Sequence, residues 1–200
     1  MNALDRYSRM RDFSRTPEPP PATVDREGPL TFTIQKHAAR SLHYDFRLEI
    51  DGVLVSWPIP RGPSYDTRVS RLAIQTEDHP YEYGTFESVI PSGEYGAGRV
   101  IVWDYGTYTV IVDDTPIPCR ERARAEAAAR DGLERGHLSV FLYGHKLEGG
   151  WTLLRTRGYG VKSQWLFIKR RDGFEQPGRD VLAEDRSVLS GLTLDDLITR

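Results

Sequence analysis

Two hundred residues, 38% hydrophobic and 10% aromatic, suffice to bury one core and exclude a disordered chain. A single cysteine, Cys119, excludes an intramolecular disulfide and every multi-cysteine zinc site. No window approaches a membrane span and no apolar leader opens the chain, so a soluble, cytoplasmic monomer is expected, with a net charge of −2 that does not by itself announce a polyanionic partner.

Residues 1–29 are polar and carry the cluster TPEPPP at 16–21, an arm expected to run extended near its prolines rather than to pack as an element. Strand patterns begin at Leu30. LTFTIQKH alternates, and LHYDFRLEI alternates more strictly, placing Leu42, Tyr44, Phe46, Leu48 and Ile50 on one side and His43, Asp45, Arg47 and Glu49 on the other. Asp51-Gly52 is a type I′ hairpin signal, after which VLVSWPI returns. Further strands are predicted over 71–76, 98–104, 107–112, 138–142, 151–155 and 164–169. Turn signals at Arg61-Gly62-Pro63, Pro91-Ser92-Gly93, Tyr105-Gly106 and Gly149-Gly150 punctuate them. The Ala-, Arg- and Glu-rich run 120–135 predicts the longer helix, and Thr193 can cap a short one near 193–198. Many short strands with one longer helix predict a mostly-β fold, a single closed or nearly closed β-barrel domain over 30–200. The four tryptophans, Trp57, Trp103, Trp151 and Trp165, lie inside strand patterns and are expected in its core.

The charge distribution is uneven. Between Lys146 and Arg171 stand Lys146, Arg155, Arg157, Lys162, Lys169, Arg170 and Arg171 against the single acid Glu148, whereas residues 172–200 carry seven acids against three arginines. Such a stripe either attracts phosphate locally or is a solvated face.

The histidines carry more chemistry. On a strand, His43, Asp45 and Arg47 share a face at roughly 6.5–7 Å per step. Imidazole and carboxylate ends two residues apart can converge on one ion, and the in-phase arginine can hold an anion bound to it. His37, beyond a bulge or turn at 38–41, can supply a third ligand. Two histidines and a carboxylate leave coordination positions open, as a catalytic site needs, and suit Mn²⁺, Fe²⁺, Co²⁺ or Zn²⁺. The competing reading of a His-x-Asp on a strand is plain polar surface.

A second group is EDHPYEYGTFE, residues 77–87. His79 can serve as ligand, phosphate donor or general acid, or simply cap loop carbonyls; Tyr81 and Tyr83 can equally pack a barrel end. Arg61 and Arg71 flank a Gly-Pro turn within reach of an anion. His137 and His145 have no partner motif.

The blocks QKHAARSLHYDFRLEIDGVLVSWPIPRGPS (35–64), EDHPYEYGTFE (77–87) and IPSGEYGAGRVIVWDYG (90–106) resemble, in order, the 3′-phosphoesterase domain of bacterial DNA ligase D and its stand-alone relatives. WLFIKRRD (165–172), SVLSGLTLDDLI (187–198) and the arm motif RDFSRTPEP (11–19) extend the resemblance over nearly the whole chain. It implies a β-barrel with a manganese-dependent, DNA 3′-end-healing activity in end joining: removal of a 3′-terminal ribonucleoside, then of the 3′-phosphate, to leave 3′-OH. It implies His37, His43 and Asp45 as metal ligands, with Arg47, His79 and Tyr83 on the scissile phosphate. Arg61 and Arg71 match further basic positions, and Arg11, Asp12 and Glu18 match arm residues needed for activity. Implied partners are primer-template or duplex 3′ ends and end-joining ligase or polymerase proteins, in a nucleoid-associated setting. The family often has lysine where Arg61 stands, and arginine prefers bidentate contacts.

Two other classes fit parts of the pattern. His43, Asp45 and His137 can be written as the facial triad of an Fe(II), 2-oxoglutarate-type oxygenase. A non-catalytic nucleic-acid-end or ligase-partner binding module would use the 146–171 stripe, and its binding would fall steeply with salt. For loss of a ribonucleoside the 2′-hydroxyl is either an internal nucleophile or a recognition handle.

Overall fold

The computed structural model describes residues 3–199 apart from 157–162. Its elements in chain order are α1 (Asp5–Arg9), β1 (Leu30–Ala38), β2 (Leu42–Ile50), β3 (Val53–Ile59), β4 (Ser70–Ile74), β5 (His79–Pro80), β6 (Ser88–Ile90), β7 (Gly98–Val112), β8 (Thr115–Pro116), α2 (Arg122–Arg135), β9 (His137–Gly144), β10 (Glu148–Arg155) and β11 (Gln164–Lys169). The short C-terminal helix forms as a 3-10 turn over Asp195–Thr199, and Asp196 accepts from Thr193 N (2.8 Å) and Thr193 Oγ1 (2.9 Å) at its start.

The mostly-β expectation holds, but the sheet does not close. One 11-stranded sheet runs β4-β11-β10-β9-β7-β1-β2-β3-β5, with β6 and β8 pairing on β7. Its ends approach without a ladder: Thr76 N donates to Ser56 O (3.0 Å), and β5 takes Val53 and Leu54 of β3. β3 also carries Pro58, a residue confined to sheet edges because it cannot donate.

The concave side holds the core. Trp57, Trp103, Trp151 and Trp165 are at most 1% exposed and pack with Phe32, Phe46 and Phe167. Ala125 and Ala129, one turn apart on α2, join the same cluster. On β2 the alternation is as predicted from Tyr44 to Ile50, all in the core, while Leu42 at the strand's start is 47% exposed. Asp51 (φ 53°) and Gly52 (φ 74°) make the predicted I′ turn.

The arm is not merely extended. Leu4 and Tyr7 are buried in a second apolar cluster with Val53, Leu54 and Tyr83, so the first residues fold as α1 against β3. Further along, Val24 N donates to Gly52 O (3.2 Å), and a Cβ at Gly52 would lie 2.1 Å from Val24 O. The arm thus clips over the β2–β3 turn. Alternation says nothing about such docking, because the arm's apolar residues are too sparse to show a period.

Two turn signals are overturned. Tyr105-Gly106 is no turn: residues 98–112 form one strand, and Gly106 pairs with Phe32 on one side and Gly144 on the other. Glycine serves there because a Cβ would meet Tyr143 O at 2.1 Å. Gly149-Gly150 lies inside β10, and the chain reverses at 145–147 instead. Asp104 builds that reversal. Its carboxylate, fully buried, accepts from the backbone N–H groups of Tyr105, His145, Lys146 and Leu147 (2.8–3.0 Å). Asp104→Ala leaves these donors without a partner and should cost roughly 3 kcal/mol or more in urea unfolding. Asp104→Asn, which keeps one acceptor oxygen, should cost less; an alanine variant within ~1 kcal/mol of wild type contradicts this account.

The 146–171 cations are largely engaged within the fold. Lys146 Nζ donates to Glu184 O (2.7 Å) and Arg186 O (2.6 Å), and Lys169 Nζ to Gly150 O, Arg170 O and Asp172. Arg155 reaches Glu134 O, and Arg170 pairs with Asp114. Arg171 is exposed, while Arg157 and Lys162 lie outside the described residues. The stripe is therefore not a continuous free surface. No helix among the described residues is long and apolar enough to cross a membrane.

Candidate active site

β1 and β2 bring the predicted ligands together by register. His37 pairs directly with His43, and Gln35 with Asp45. One ligand atom from each of His37, His43 and Asp45 lies within 4.8 Å of the others, and this is the group of His, Cys, Asp and Glu among the described residues that can hold an ion. Backbone carbonyls orient the two rings. Gly96 O accepts from His37 Nε2 (2.9 Å) and Ser41 O from His43 Nδ1 (3.0 Å). Each carbonyl engages one ring nitrogen, so His37 Nδ1 and His43 Nε2 are the nitrogens left to bind an ion once the rings are neutral. These face Asp45 Oδ2 at 3.5 and 3.6 Å. Outer partners of this kind fix tautomers at metal centres. Burial opposes ionisation of Asp45, but Arg47 and the two imidazoles outweigh it and hold the carboxyl well below its usual range. The two imidazole nitrogens, the anionic carboxylate and a donor set without sulfur fit a hard or borderline divalent ion.

His43, Asp45 and Arg47 are not a solvent face. Asp45 and Arg47 are buried, and the cavity they line, about 670 Å³, also touches Arg11, His37, Arg40, Glu77, His79, Tyr83, Tyr95 and Gly96. Arg47 Nε donates to Gln35 Oε1 (2.8 Å) and Nη1 to Ser56 Oγ (2.8 Å), while Nη2 lies 3.3 Å from Asp45 Oδ2. Its guanidinium sits 4.8 Å from the Tyr83 ring centroid. Thus three fixed partners aim this cation beside the candidate ligands.

The arm supplies the opposite wall. Arg11 Nε donates to Glu18 Oε1 (2.8 Å), with Glu77 Oε1 at 3.5 Å from Nη1 and His79 Nε2 at 3.4 Å from Nη2. Tyr83 Oη donates to Glu18 Oε1 (3.1 Å) and Thr16 Oγ1 to Glu18 Oε2 (2.8 Å). Burial pushes the Tyr83 hydroxyl well above its usual value, so it stays a donor. Asp12 is placed differently: exposed, it accepts from Ser14 N and Oγ and shapes the arm's bend outside the cavity. Arg61 and Arg71 do not line the cavity either. Arg61 is exposed after β3, and Arg71 sits on β4 with Nε buried and without a hydrogen-bond partner among the described residues. His137 is exposed on β9 beside α2, remote from the ligand group, which removes the third ligand of the oxygenase reading.

His79 is buried. Nδ1–H donates to Glu77 O (2.9 Å), so Nε2 is the acceptor facing Arg11. Burial, then the Arg47 and Arg11 guanidiniums, hold it well below the usual histidine value. It is therefore a neutral imidazole that accepts at Nε2. A group neutral when folded and protonated when unfolded lowers stability as pH falls below about 6.5, by up to about 1.4 kcal/mol per pH unit. His43 acts in the opposite sense: burial lowers it, but the Asp45 hydrogen bond and charge raise it overall. The difference between wild type and His79→Asn in urea titrations from pH 7 to 5 isolates the His79 contribution. A wild-type slope no steeper than the variant's contradicts it.

Sequence alternation missed several residues here. Gln35 and Ser56 were accessible through register, since Gln35 is in phase with His37 and Ser56 pairs with Arg47. Glu77, which abuts Arg11 and keeps Oε2 buried without a partner, carries no local signal. Tyr95 and Gly96 sit in a loop whose approach to His37 is purely tertiary.

A family model described as the DNA Ligase D 3′-phosphoesterase domain matches residues 35–155. The chain belongs to this family. Over 196 residues it is 48% identical to the multifunctional non-homologous end joining protein LigD of Pseudomonas aeruginosa, covering 96% of this chain and 22% of that protein. Over 174 residues it is 49% identical to the multifunctional non-homologous end joining DNA repair protein LigD of Mycobacterium tuberculosis, covering 86% and 20%. The LigD protein of Mycolicibacterium smegmatis is 41% identical over 170 residues, with 84% and 21% covered. The chain therefore spans about a fifth of the length of these relatives. The family match includes all three candidate ligands, Arg47, His79 and Tyr83, while Arg11 and Glu18 precede it.

Proposed function

We propose that this member of the ligase D phosphoesterase family heals DNA 3′ ends for end joining, using Mn²⁺ to remove a 3′-terminal ribonucleoside and then the 3′-phosphate. One observation carries the reading. His37, His43 and Asp45 bring one ligand atom each within 4.8 Å of one another in the same cavity where Arg47 and Arg11 present buried guanidiniums. That combination suits a phosphate bound between a cation and arginines, and the family and its end-joining relatives point to the same substrate.

Bound at these ligands, the ion supplies Lewis-acid polarisation of a phosphate oxygen. Arg47, fixed by Gln35 and Ser56, offsets charge on the phosphoryl oxygens without reorganising as the reaction proceeds. Arg11 contacts the phosphate from the arm side, and Tyr83 adds a hydroxyl donor. Phosphate binding draws Arg11 from His79 and places negative charge beside the ring. Both effects favour the protonated imidazole, whose Nε2 proton passes to the leaving oxygen as its P–O bond breaks, while an attacking water forms the new P–O bond and gives its proton to solvent.

The deciding experiment uses a labelled primer-template with one 3′-ribonucleotide, incubated with Mn²⁺ or EDTA and resolved on a gel. A 3′-phosphate intermediate followed by a 3′-OH product is expected with Mn²⁺ alone. An unchanged primer refutes the reading.

A further inference from the structure

The cavity is larger than one phosphate requires. At about 670 Å³ it falls in the range of small-molecule sites, and the arginines and candidate ligands account for its floor. Arg40 and Tyr95 also line it, as do Ala39, Pro58, Thr76 and Ala97.

Arg40 stands in the β1–β2 turn, exposed, and makes no hydrogen bond or ion pair among the described residues. The other two arginines of the cavity are buried and paired. Tyr95 is 43% exposed, and its ring lies 5.3 Å from Arg11 Cζ. Its loop is held on both sides. Gly96 O takes the His37 N–H, Glu94 pairs with Arg15 of the arm (2.9 Å), and Ala97 N donates to Glu94 O (3.1 Å). A single exposed tyrosine is ordinary. A half-exposed ring on an anchored loop, lining the same cavity as a cation unpaired among the described residues, is the combination that single-strand binding sites use.

We propose that Arg40 and Tyr95 hold the polynucleotide behind the reacting phosphate, Tyr95 stacking on the adjacent base and Arg40 pairing with the next backbone phosphate. This rests on the phosphoesterase reading and adds to it the residues that grip the strand beyond the reacting phosphate.

The test is equilibrium binding of a fluorescent, 3′-phosphorylated single-stranded DNA oligonucleotide in EDTA, across a salt series. Tyr95→Ala should raise Kd roughly tenfold, and Tyr95→Phe, which keeps the ring, should restore it. Arg40→Ala should reduce the slope of log Kobs against log salt by about 0.7, the share of one phosphate on a single strand, with Arg40→Lys restoring it. Inorganic phosphate, which reaches only the floor, should compete with the same inhibition constant throughout. Wild-type oligonucleotide affinity in both alanine variants overturns the proposal, as does equal weakening of inorganic phosphate. If both variants weaken the oligonucleotide while the wild type releases no product with Mn²⁺, the strand contact stands and the phosphoesterase reading fails.

Discussion

Asp45→Ala should abolish release of both the 3′-ribonucleoside and the 3′-phosphate, by at least about a thousand-fold, well beyond the ten- to hundred-fold typical of losing an outer-shell partner. Its carboxylate is the one anionic member of the His37, His43 and Asp45 group. His37 Nδ1, His43 Nε2 and Arg47 Nη2 all converge on its Oδ2. Without it, two neutral rings face a buried guanidinium, an arrangement that repels a cation. Asp45→Asn keeps the shape and one oxygen but not the charge, so it should fall nearly as far. His43→Ala should likewise remove both activities. The check is product formation with Mn²⁺ alongside the Mn²⁺-induced shift in Tm, and both should vanish together. Full activity in either alanine variant removes the basis for the metal assignment.

Glu18→Ala should detach the arm from the cavity and lower kcat/KM by about a hundred-fold, equivalent to roughly 2.7 kcal/mol of transition-state binding. Three donors meet on this one buried carboxylate: Arg11 Nε, Tyr83 Oη and Thr16 Oγ1. Removing it strands a buried arginine, a change that costs about 3–5 kcal/mol where no other partner is near. Glu77 at 3.5 Å from Arg11 Nη1 offsets part of that loss. The cost falls on the arm's docking rather than on the sheet, because the first core cluster contains no arm residue. Limited proteolysis and hydrogen exchange over 11–18 should therefore change while the sheet's protection does not. Asp12→Ala is the contrasting case. Its exposed carboxylate only closes the bend to Ser14, and its loss should cost within ~1 kcal/mol and have the smaller effect on turnover. A Glu18→Ala arm as resistant as wild type contradicts this picture.

Strand alternation was legible wherever one side of a strand met the tryptophan core. Tyr44, Phe46, Leu48 and Ile50 show it, and their alternation set His43, Asp45 and Arg47 on a common face. The hairpin at Asp51-Gly52 was equally legible, since two consecutive positive φ angles need those residue types. Glycine misled at 106 and 149–150. A glycine chosen for close approach between strands looks the same in sequence as one chosen for a turn, and only the neighbouring Tyr143 carbonyl distinguishes them. The basic stripe misled for a related reason: carbonyls that engage Lys146 and Lys169 come from segments distant in sequence.

By itself, then, the sequence determined a mostly-β chain, the shared face of His43, Asp45 and Arg47, and through ordered motifs the phosphoesterase family. Only the tertiary structure decided that this face is buried, that Arg11 and Glu18 come from the arm to wall it, and that Gly96 and Ser41 carbonyls aim the two rings. The division has one physical cause. Alternation records contacts between a strand and its own core, a local and periodic demand, whereas the cavity is assembled from residues up to 68 positions apart, as Arg11 and His79 are, whose burial depends on segments with no period to read.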